Sequence, residues 1–122
     1  MADIDTVLNG ITGIDGVKAA VIAGRDGLMI QGSQGAGGRE DLDALAAITA
    51  DVVRNLRMLA SDMGRSSLDQ VIAEFGDGMV LLQPVGSDAS LAVMAGADGN
   101  IGRLRFAVRR YAPQIAELLA QM

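Results

Sequence analysis

Residues 16–33 read GVKAAVIAGRDGLMIQGS, two apolar runs separated by Arg25-Asp26-Gly27. An Asp-Gly pair between aliphatic runs is among the strongest signals for a β-hairpin. Both faces of the first run are apolar, so we expect this strand to be central in a sheet. One face carries Val17, Ala19, Val21 and Ala23, and the other carries Ala20 and Ile22.

Helical periodicity precedes and follows the hairpin. Apolar residues at helical spacing predict a short amphipathic helix over residues 3–13 and a long helix from Glu40 to about Met63. A third apolar stripe, preceded by Asp98-Gly99-Asn100, predicts a final helix from residue 101 to about 121, with Pro113 outside the stripe.

Three strand-like runs lie between the long helix and the final helix. Residues 68–75, LDQVIAEF, alternate polar and apolar side chains, which predicts a half-exposed strand at a sheet edge. Residues 79–85 and 89–95 are more continuously apolar and are predicted to be central strands.

The segment 32–39, GSQGAGGR, is rich in Gly and comes before the long helix. A Gly-rich loop before a helix can bind phosphate, but the spacing here matches neither a P-loop nor a dinucleotide fingerprint. Acidic side chains at Glu40, Asp41 and Asp43 also occupy the helix start, where an anion would bind. We therefore interpret the segment as a flexible connector.

The long helix is more apolar than packing on one sheet requires. Wound at about 100° per residue, its apolar side chains cover roughly 160°, against about 100° for a helix with one packed face. This surplus predicts a second contact. The apolar arc consists of Leu42, Leu45, Ala46, Ile48, Val52, Val53, Leu56, Leu59, Ala60 and Met63.

The rest of the helix surface is mainly polar. Met58 lies within this polar arc, either as an isolated exposed apolar residue or as a partner contact. The polar side chains are Asp51, Arg54, Asn55, Arg57, Ser61 and Asp62.

Composition excludes several function classes. The 122-residue chain of 12.6 kDa is expected to form one domain over residues 1–122. A net charge of −5 argues against nucleic-acid binding, and the absence of His and Cys excludes zinc clusters, Cys nucleophiles and His-based triads. No signal peptide or membrane span is apparent, so we expect a cytoplasmic protein without membrane insertion.

Charged residues outside the long helix carry no clear catalytic pattern. The carboxylates fall in predicted turns or on solvated helix faces. Arg103, Arg105, Arg109 and Arg110 concentrate positive charge on the final helix, either as a patch for an acidic partner or as a solvated face.

Taken in series, four segments resemble the roadblock/dynein light chain family, closest to its MglB-type bacterial and archaeal members. They are the hairpin at 16–33, the Ala-rich helix LDALAAITADVVRNLRMLASDMG, the meander VIAEFGDGMVLLQPVGSDASLAVMA and the closing NIGRLRFAVRRYAPQIAELL. The resemblance implies an α/β (α+β) profilin-like sandwich. Its five-stranded antiparallel sheet has order 2-1-5-4-3, with the long helix on one face and the other two helices on the opposite face.

The resemblance also implies a homodimer in which third strands pair edge to edge and long helices lie side by side. Such a pairing would cover both the surplus apolar arc and the open strand edge. The expected interface residues are Ile48, Val52 and Leu59 between the helices, and Gln70, Val71, Ile72 and Glu74 on the paired strands.

MglB-type members bind a small Ras-like GTPase and accelerate its GTP hydrolysis by repositioning its switch elements. The resemblance therefore implies a non-enzymatic GTPase regulator without a cofactor or metal. The alternatives are a scaffold or adaptor that leaves hydrolysis unchanged, and an enzyme or small-ligand sensor. The expected docking residues are Asp51, Arg54, Asn55, Arg57, Met58 and Asp62.

Overall fold

The computed structural model describes residues 3–122, which form three helices and one five-stranded antiparallel sheet. The strands lie in the order β2-β1-β5-β4-β3, which confirms the expected α+β architecture and topology. The elements in chain order are α1 (Ile4–Thr12), β1 (Val17–Gly24), β2 (Met29–Gln34), α2 (Leu42–Asp62), β3 (Val71–Phe75), β4 (Gly78–Val85), β5 (Ala89–Gly96) and α3 (Ile101–Ala120).

Each helix begins at a polar cap, which explains why the predicted helix starts agree closely with the structure. The side chain of Asp41 accepts the Ala44 N–H at 3.1 Å, and the side chain of Asn100 accepts the Arg103 N–H at 3.0 Å. Asp3 caps α1 in the same way, and its hydrogen bond from the Thr6 N–H lowers the pKa of the Asp3 carboxyl.

The helices cover both faces of the sheet. Helices α1 and α3 pack on one face, where Leu8, Leu91 and Leu104 are buried, and α2 packs on the other face against Val21 and Ala92. Both clusters are aliphatic, as the low aromatic content predicts, and neither Phe of the chain is buried. Small side chains on β1 and β5 let helices approach the sheet closely.

The predicted side-chain alternation of β1 is wrong at its first residue. Val17 lies in the cluster under α1 and α3 together with Ala20 and Ile22, and not on the face of Val21 and Ala23. The pairing of β1 with β5 shifts register between Val17 and Ala19. A bulge adds one residue on one strand, so the side chain before it changes face.

The Gly-rich segment 32–39 is not the loose connector expected from its composition. Its first three residues continue β2 to Gln34, and the Gly35 N–H donates to the Lys18 carbonyl at 2.7 Å. The Gln34 side chain donates to the Glu40 carbonyl at 2.7 Å and accepts the Glu40 N–H at 3.2 Å. The segment is therefore tied to β1 and to the start of α2.

Substitution of Gly35 tests this close packing. A Cβ atom at Gly35 would lie 2.0 Å from the Val17 carbonyl oxygen, whereas a Cβ at Gly76 would have no neighbour within 4 Å. Because backbone cannot yield as a flexible side chain does, we expect Gly35→Ala to lower the free energy of unfolding by about 2 kcal/mol or more. Urea unfolding at one fixed protein concentration measures it, with Gly76→Ala as the control. Equal midpoints for the two variants would contradict the packing.

Candidate protein-interaction surface

Helix α2 crosses one face of the sheet without covering it completely. It lies over β1, β2 and β5 and reaches the margin of β4, but none of its Cα atoms comes within 8 Å of a Cα of β3 in the described structure. Its buried stripe is made of Ala46, Thr49, Ala50 and Val53. Thr49 and Ala50 were not in the expected apolar arc, so the stripe that faces the sheet lies to one side of that arc.

The other side of the apolar arc is exposed. We call it the α2 apolar flank: Ile48, Val52, Leu56, Leu59 and Met63. Ile48 is 61% exposed and Leu59 is 54% exposed, while Val52 and Leu56 are half-buried. The prediction that α2 has more apolar surface than its own sheet covers is therefore correct, and Ile48, Val52 and Leu59 all lie on the uncovered flank.

The predicted docking residues lie on the next part of the helix circumference. Asp51, Arg54, Asn55, Met58 and Asp62 are exposed, and successive winding at about 100° per residue places them side by side. We call these five residues the α2 outer face. Met58 is the one large apolar side chain among them, which gives this polar face an adaptable contact point.

Arg57 departs from this group. It is half-buried at the edge of a cleft of about 270 Å³ that α2 forms with the β1–β2 and β4–β5 turns. Its guanidinium donates to the carbonyl oxygens of Gly86 and Ser87, both at 3.3 Å. Arg57 therefore braces the β4–β5 turn.

The other two arginines at this cleft are also engaged within the chain. The Arg54 guanidinium pairs with the Asp51 carboxylate one turn earlier, and Arg25 lies 3.7 Å from the Asp88 carboxylate. The cleft thus brings positive side chains together, but each already contacts an acceptor of this protein. Of the described residues 3–122, no His, Cys, Asp and Glu side chains cluster as a metal site would require.

Strand β3 is the terminal strand on one side of the sheet, as predicted from its alternation. Val71 packs toward the α2 side and Ile72 toward the α1–α3 side, while Glu74 is exposed. Phe75, at the end of the strand, is 60% exposed. The edge therefore combines free backbone with apolar side chains on both faces.

The predicted start of this strand is wrong, because β3 begins at Val71 and not at residue 68. Gln70 lies before the strand and is tied to α3. Its side-chain amide donates to the Arg105 carbonyl at 3.2 Å, and its side-chain oxygen accepts Arg105 Nε at 3.3 Å. These bonds hold Gln70 toward α3, so it belongs to the α3 contact.

Two exposed aromatic residues were missed as site residues. Phe75 and Phe106 are the two Phe residues of the chain, and Phe106 is 69% exposed on α3. The signal was available, because Phe106 falls outside the apolar stripe of its helix. The low aromatic content predicts only that the core is aliphatic.

Comparison with known proteins gives the same architecture. The uncharacterized protein MJ0714 of Methanocaldococcus jannaschii is 30% identical over 112 residues, which is 92% of each chain. MglB of Myxococcus xanthus superposes with a TM-score of 0.87 at 20% identity, covering 98% of this chain and 96% of that one. Profilin II of Acanthamoeba castellanii superposes with a TM-score of 0.64 at 21% identity, covering 93% and 94%.

The sequence matches the family model of the Roadblock/LC7 domain over residues 3–95. This chain belongs to the Roadblock/LC7 domain family. Within residues 3–122, every helix is too short or too polar to cross a lipid bilayer.

The different environments of Arg54 and Arg57 predict different effects on stability. Arg57→Ala removes two bonds that brace a turn, so we expect a loss of about 1 kcal/mol in the free energy of unfolding. Arg54→Ala removes one exposed ion pair, so we expect a change below about 0.5 kcal/mol. Chemical denaturation of the two variants measures the difference. The reverse order would show that Arg57 does not brace the turn.

Proposed function

We propose that this protein is a homodimeric platform that binds a small Ras-like GTPase and stimulates its GTP hydrolysis by positioning the switch elements of the GTPase. The observation that carries the proposal is the division of the exposed surface of α2 into an apolar flank and a polar outer face. One helix then supplies both a surface for a second copy and a surface for a partner.

The dimer half of the proposal rests on two uncovered surfaces on the same side of the molecule. The α2 apolar flank is exposed, α2 does not reach β3, and Val52 of the flank packs against the same buried cluster as Val71 of β3. We infer that β3 pairs with β3 of a second copy through Val71, Ile72 and Glu74, and that Ile48, Val52 and Leu59 pack against the same residues across a two-fold axis. Gln70 then stays at the margin of the interface, because it is held by Arg105.

The surface area of the protomer supports the same inference. Its accessible surface is 6963 Å², about a tenth above the ~6,200 Å² that size scaling gives for a compact monomer of this mass. The protomer thus exposes somewhat more surface than its size alone requires, as expected of a chain with a face left for a second copy.

The partner half rests on the α2 outer face, with Arg57 at its edge. Asp51, Arg54, Asn55, Met58 and Asp62 would contact the GTPase. An arginine finger needs a guanidinium free to reach the transferred phosphate. Arg57 is held by the Gly86 and Ser87 carbonyls, which favours a mechanism in which the platform holds switch elements in place, whereas the exposed ion pair of Arg54 is weak and its variant is therefore the stricter test.

A scaffold that binds the GTPase without changing its hydrolysis uses the same face. The two functions therefore differ in the measured hydrolysis rate and not in the geometry of the surface. A kinetic measurement is therefore needed to distinguish a scaffold from an activator of hydrolysis.

The dimer predicts that a charge on the α2 apolar flank separates the copies. Burying an Ile side chain is worth about 1.5–3 kcal/mol, and the two-fold axis applies the loss twice. We therefore expect Ile48→Asp to raise the dimer dissociation constant by about 10²-fold or more. Light scattering at micromolar concentration measures the mass. Leu28→Asp is the matched control, because Leu28 is 68% exposed at the β1–β2 turn, away from this flank.

The wild-type chain and the Leu28→Asp control should then have the mass of a dimer of two 12.6 kDa chains, and the Ile48→Asp variant should have the mass of a monomer. A well-folded wild-type monomer would overturn the dimer. If only Leu28→Asp dissociated the dimer, the interface would lie near the β1–β2 turn and not on the α2 apolar flank.

Single-turnover hydrolysis tests the partner half, with a purified small Ras-like GTPase as the probe. We expect the wild-type protein to accelerate hydrolysis, and Arg54→Ala and Arg57→Ala to weaken binding with only small losses in the rate at saturation. Each residue of a positioning surface contributes only part of the contact, whereas removing an arginine finger lowers the hydrolysis rate ~10³-fold or more. Arg39→Ala, an exposed arginine before α2, is the control.

A loss of finger size for either variant would reject the positioning mechanism. Binding without acceleration by the wild-type protein would select the scaffold instead. The double variant Arg54→Ala/Arg57→Ala guards against one arginine replacing the other.

A further inference from the structure

Helix α3 presents an unusual surface on the opposite face of the sheet from α2. Its buried residues include Leu104, Val108 and Ile115. At about 100° per residue, Phe106 falls close to the line opposite this stripe, with arginines on both flanks. We call this the α3 outer surface, and it consists of Arg103, Arg105, Phe106, Arg109 and Arg110, all of them exposed.

Phe106 has no role in the core of this protomer. With 69% of its surface exposed, it is more exposed than Phe75. Helical winding places it between two pairs of arginines, with Arg103 and Arg110 on one flank and Arg105 and Arg109 on the other. Aromatic and arginine side chains are the types most enriched among residues that dominate binding energy at protein interfaces. The arrangement is thus that of an apolar anchor between cationic groups.

The arginines of α3 are also unneutralised within the described structure. Both ion pairs found among residues 3–122 lie elsewhere, between Arg25 and Asp88 and between Arg54 and Asp51. Arg105 is held in place by Gln70, a neutral side chain that leaves its charge uncompensated. Preorganised guanidinium groups bind carboxylates with less loss of side-chain entropy.

The charge of α3 contrasts with that of the remaining chain. Helix α3 has four arginines and a single acid, Glu117, whereas the rest of the sequence has six basic and fourteen acidic residues. A broad anionic surface such as a bilayer or a nucleic acid would also approach the negative remainder of the protein. A narrow acidic segment contacts α3 alone, within the ~8 Å over which charges interact at physiological salt.

We propose that the α3 outer surface binds an acidic protein segment that carries an apolar side chain for contact with Phe106. The arginines contact carboxylates on either side of that apolar residue. Because α3 and α2 lie on opposite faces of the sheet, this segment and a partner on α2 can bind at the same time. The proposal stands independently of whether the α2 partner is a GTPase.

A labelled synthetic peptide tests the proposal by fluorescence anisotropy. The probe is a short peptide of Asp and Glu residues interrupted by Leu, and its matched control replaces each Leu by Ser. We expect Phe106→Ala to weaken binding of the Leu peptide about fivefold or more, and Arg109→Glu/Arg110→Glu about tenfold or more. The effect of Phe106→Ala should disappear with the Ser peptide, because the contact partner is already absent.

Two control variants separate this surface from general attraction to acids. Leu28→Ala removes an equally exposed apolar side chain, and Arg39→Glu reverses an exposed charge outside α3. Both variants should bind the Leu peptide with a dissociation constant within about twofold of the wild-type value. Circular dichroism confirms that each variant is folded.

Several results would overturn the proposal. Failure of the wild-type protein to bind the Leu peptide would do so, as would equal weakening by Phe106→Ala and Leu28→Ala. Phe106-dependent binding to phosphatidylserine vesicles or to single-stranded DNA, without binding to the peptide, would assign the surface to a different class of partner.

Discussion

Helix α2 lies across β1, β2 and β5 and stops short of β3, and most other features of the surface depend on this position. The helix buries a stripe of small residues such as Ala46 and Ala50, so it sits close to the sheet, but the larger Ile48 and Leu59 point to one side. The fold therefore leaves the α2 apolar flank uncovered in a sheet that also has an open strand edge at β3. Covering either surface alone would leave the other exposed, and the proposed symmetric second copy would cover both.

Small residues also let other parts of the chain pack close to β1. Ala23 lies on the α2 side of β1 and Ala20 on the α1–α3 side, and Gly35 allows the chain after β2 to contact the backbone of Val17 and Lys18. The core also contains large, fully buried aliphatic side chains such as Leu8, Leu91 and Leu104. Stability therefore depends both on the close approach of backbones around β1 and on these aliphatic contacts, whose truncation to Ala typically costs about 2–5 kcal/mol.

The sequence was sufficient to predict the order of elements, the approximate helix starts and the edge position of β3, because each follows from local periodicity or a local hydrogen bond. It could not predict the face of Val17, because the bulge depends on pairing with β5. Gln70 was placed on a strand because alternation extends past the point where its side chain turns to Arg105. The exposure of Phe106 was indicated by helix geometry, but the pairing state of the α3 arginines required the structure.

The surfaces of α2 and α3 differ in how their arginines are paired. The three arginines at the α2 cleft, Arg25, Arg54 and Arg57, each contact an acceptor of this chain, so that surface offers shape and a mixture of charges. The arginines of α3 have no carboxylate partner in the described structure, so that surface offers net charge. A field of one sign accelerates encounter with an oppositely charged partner, whereas a mixed surface selects by fit. One sheet can therefore hold a partner chosen by shape on one face and a partner recruited by charge on the other.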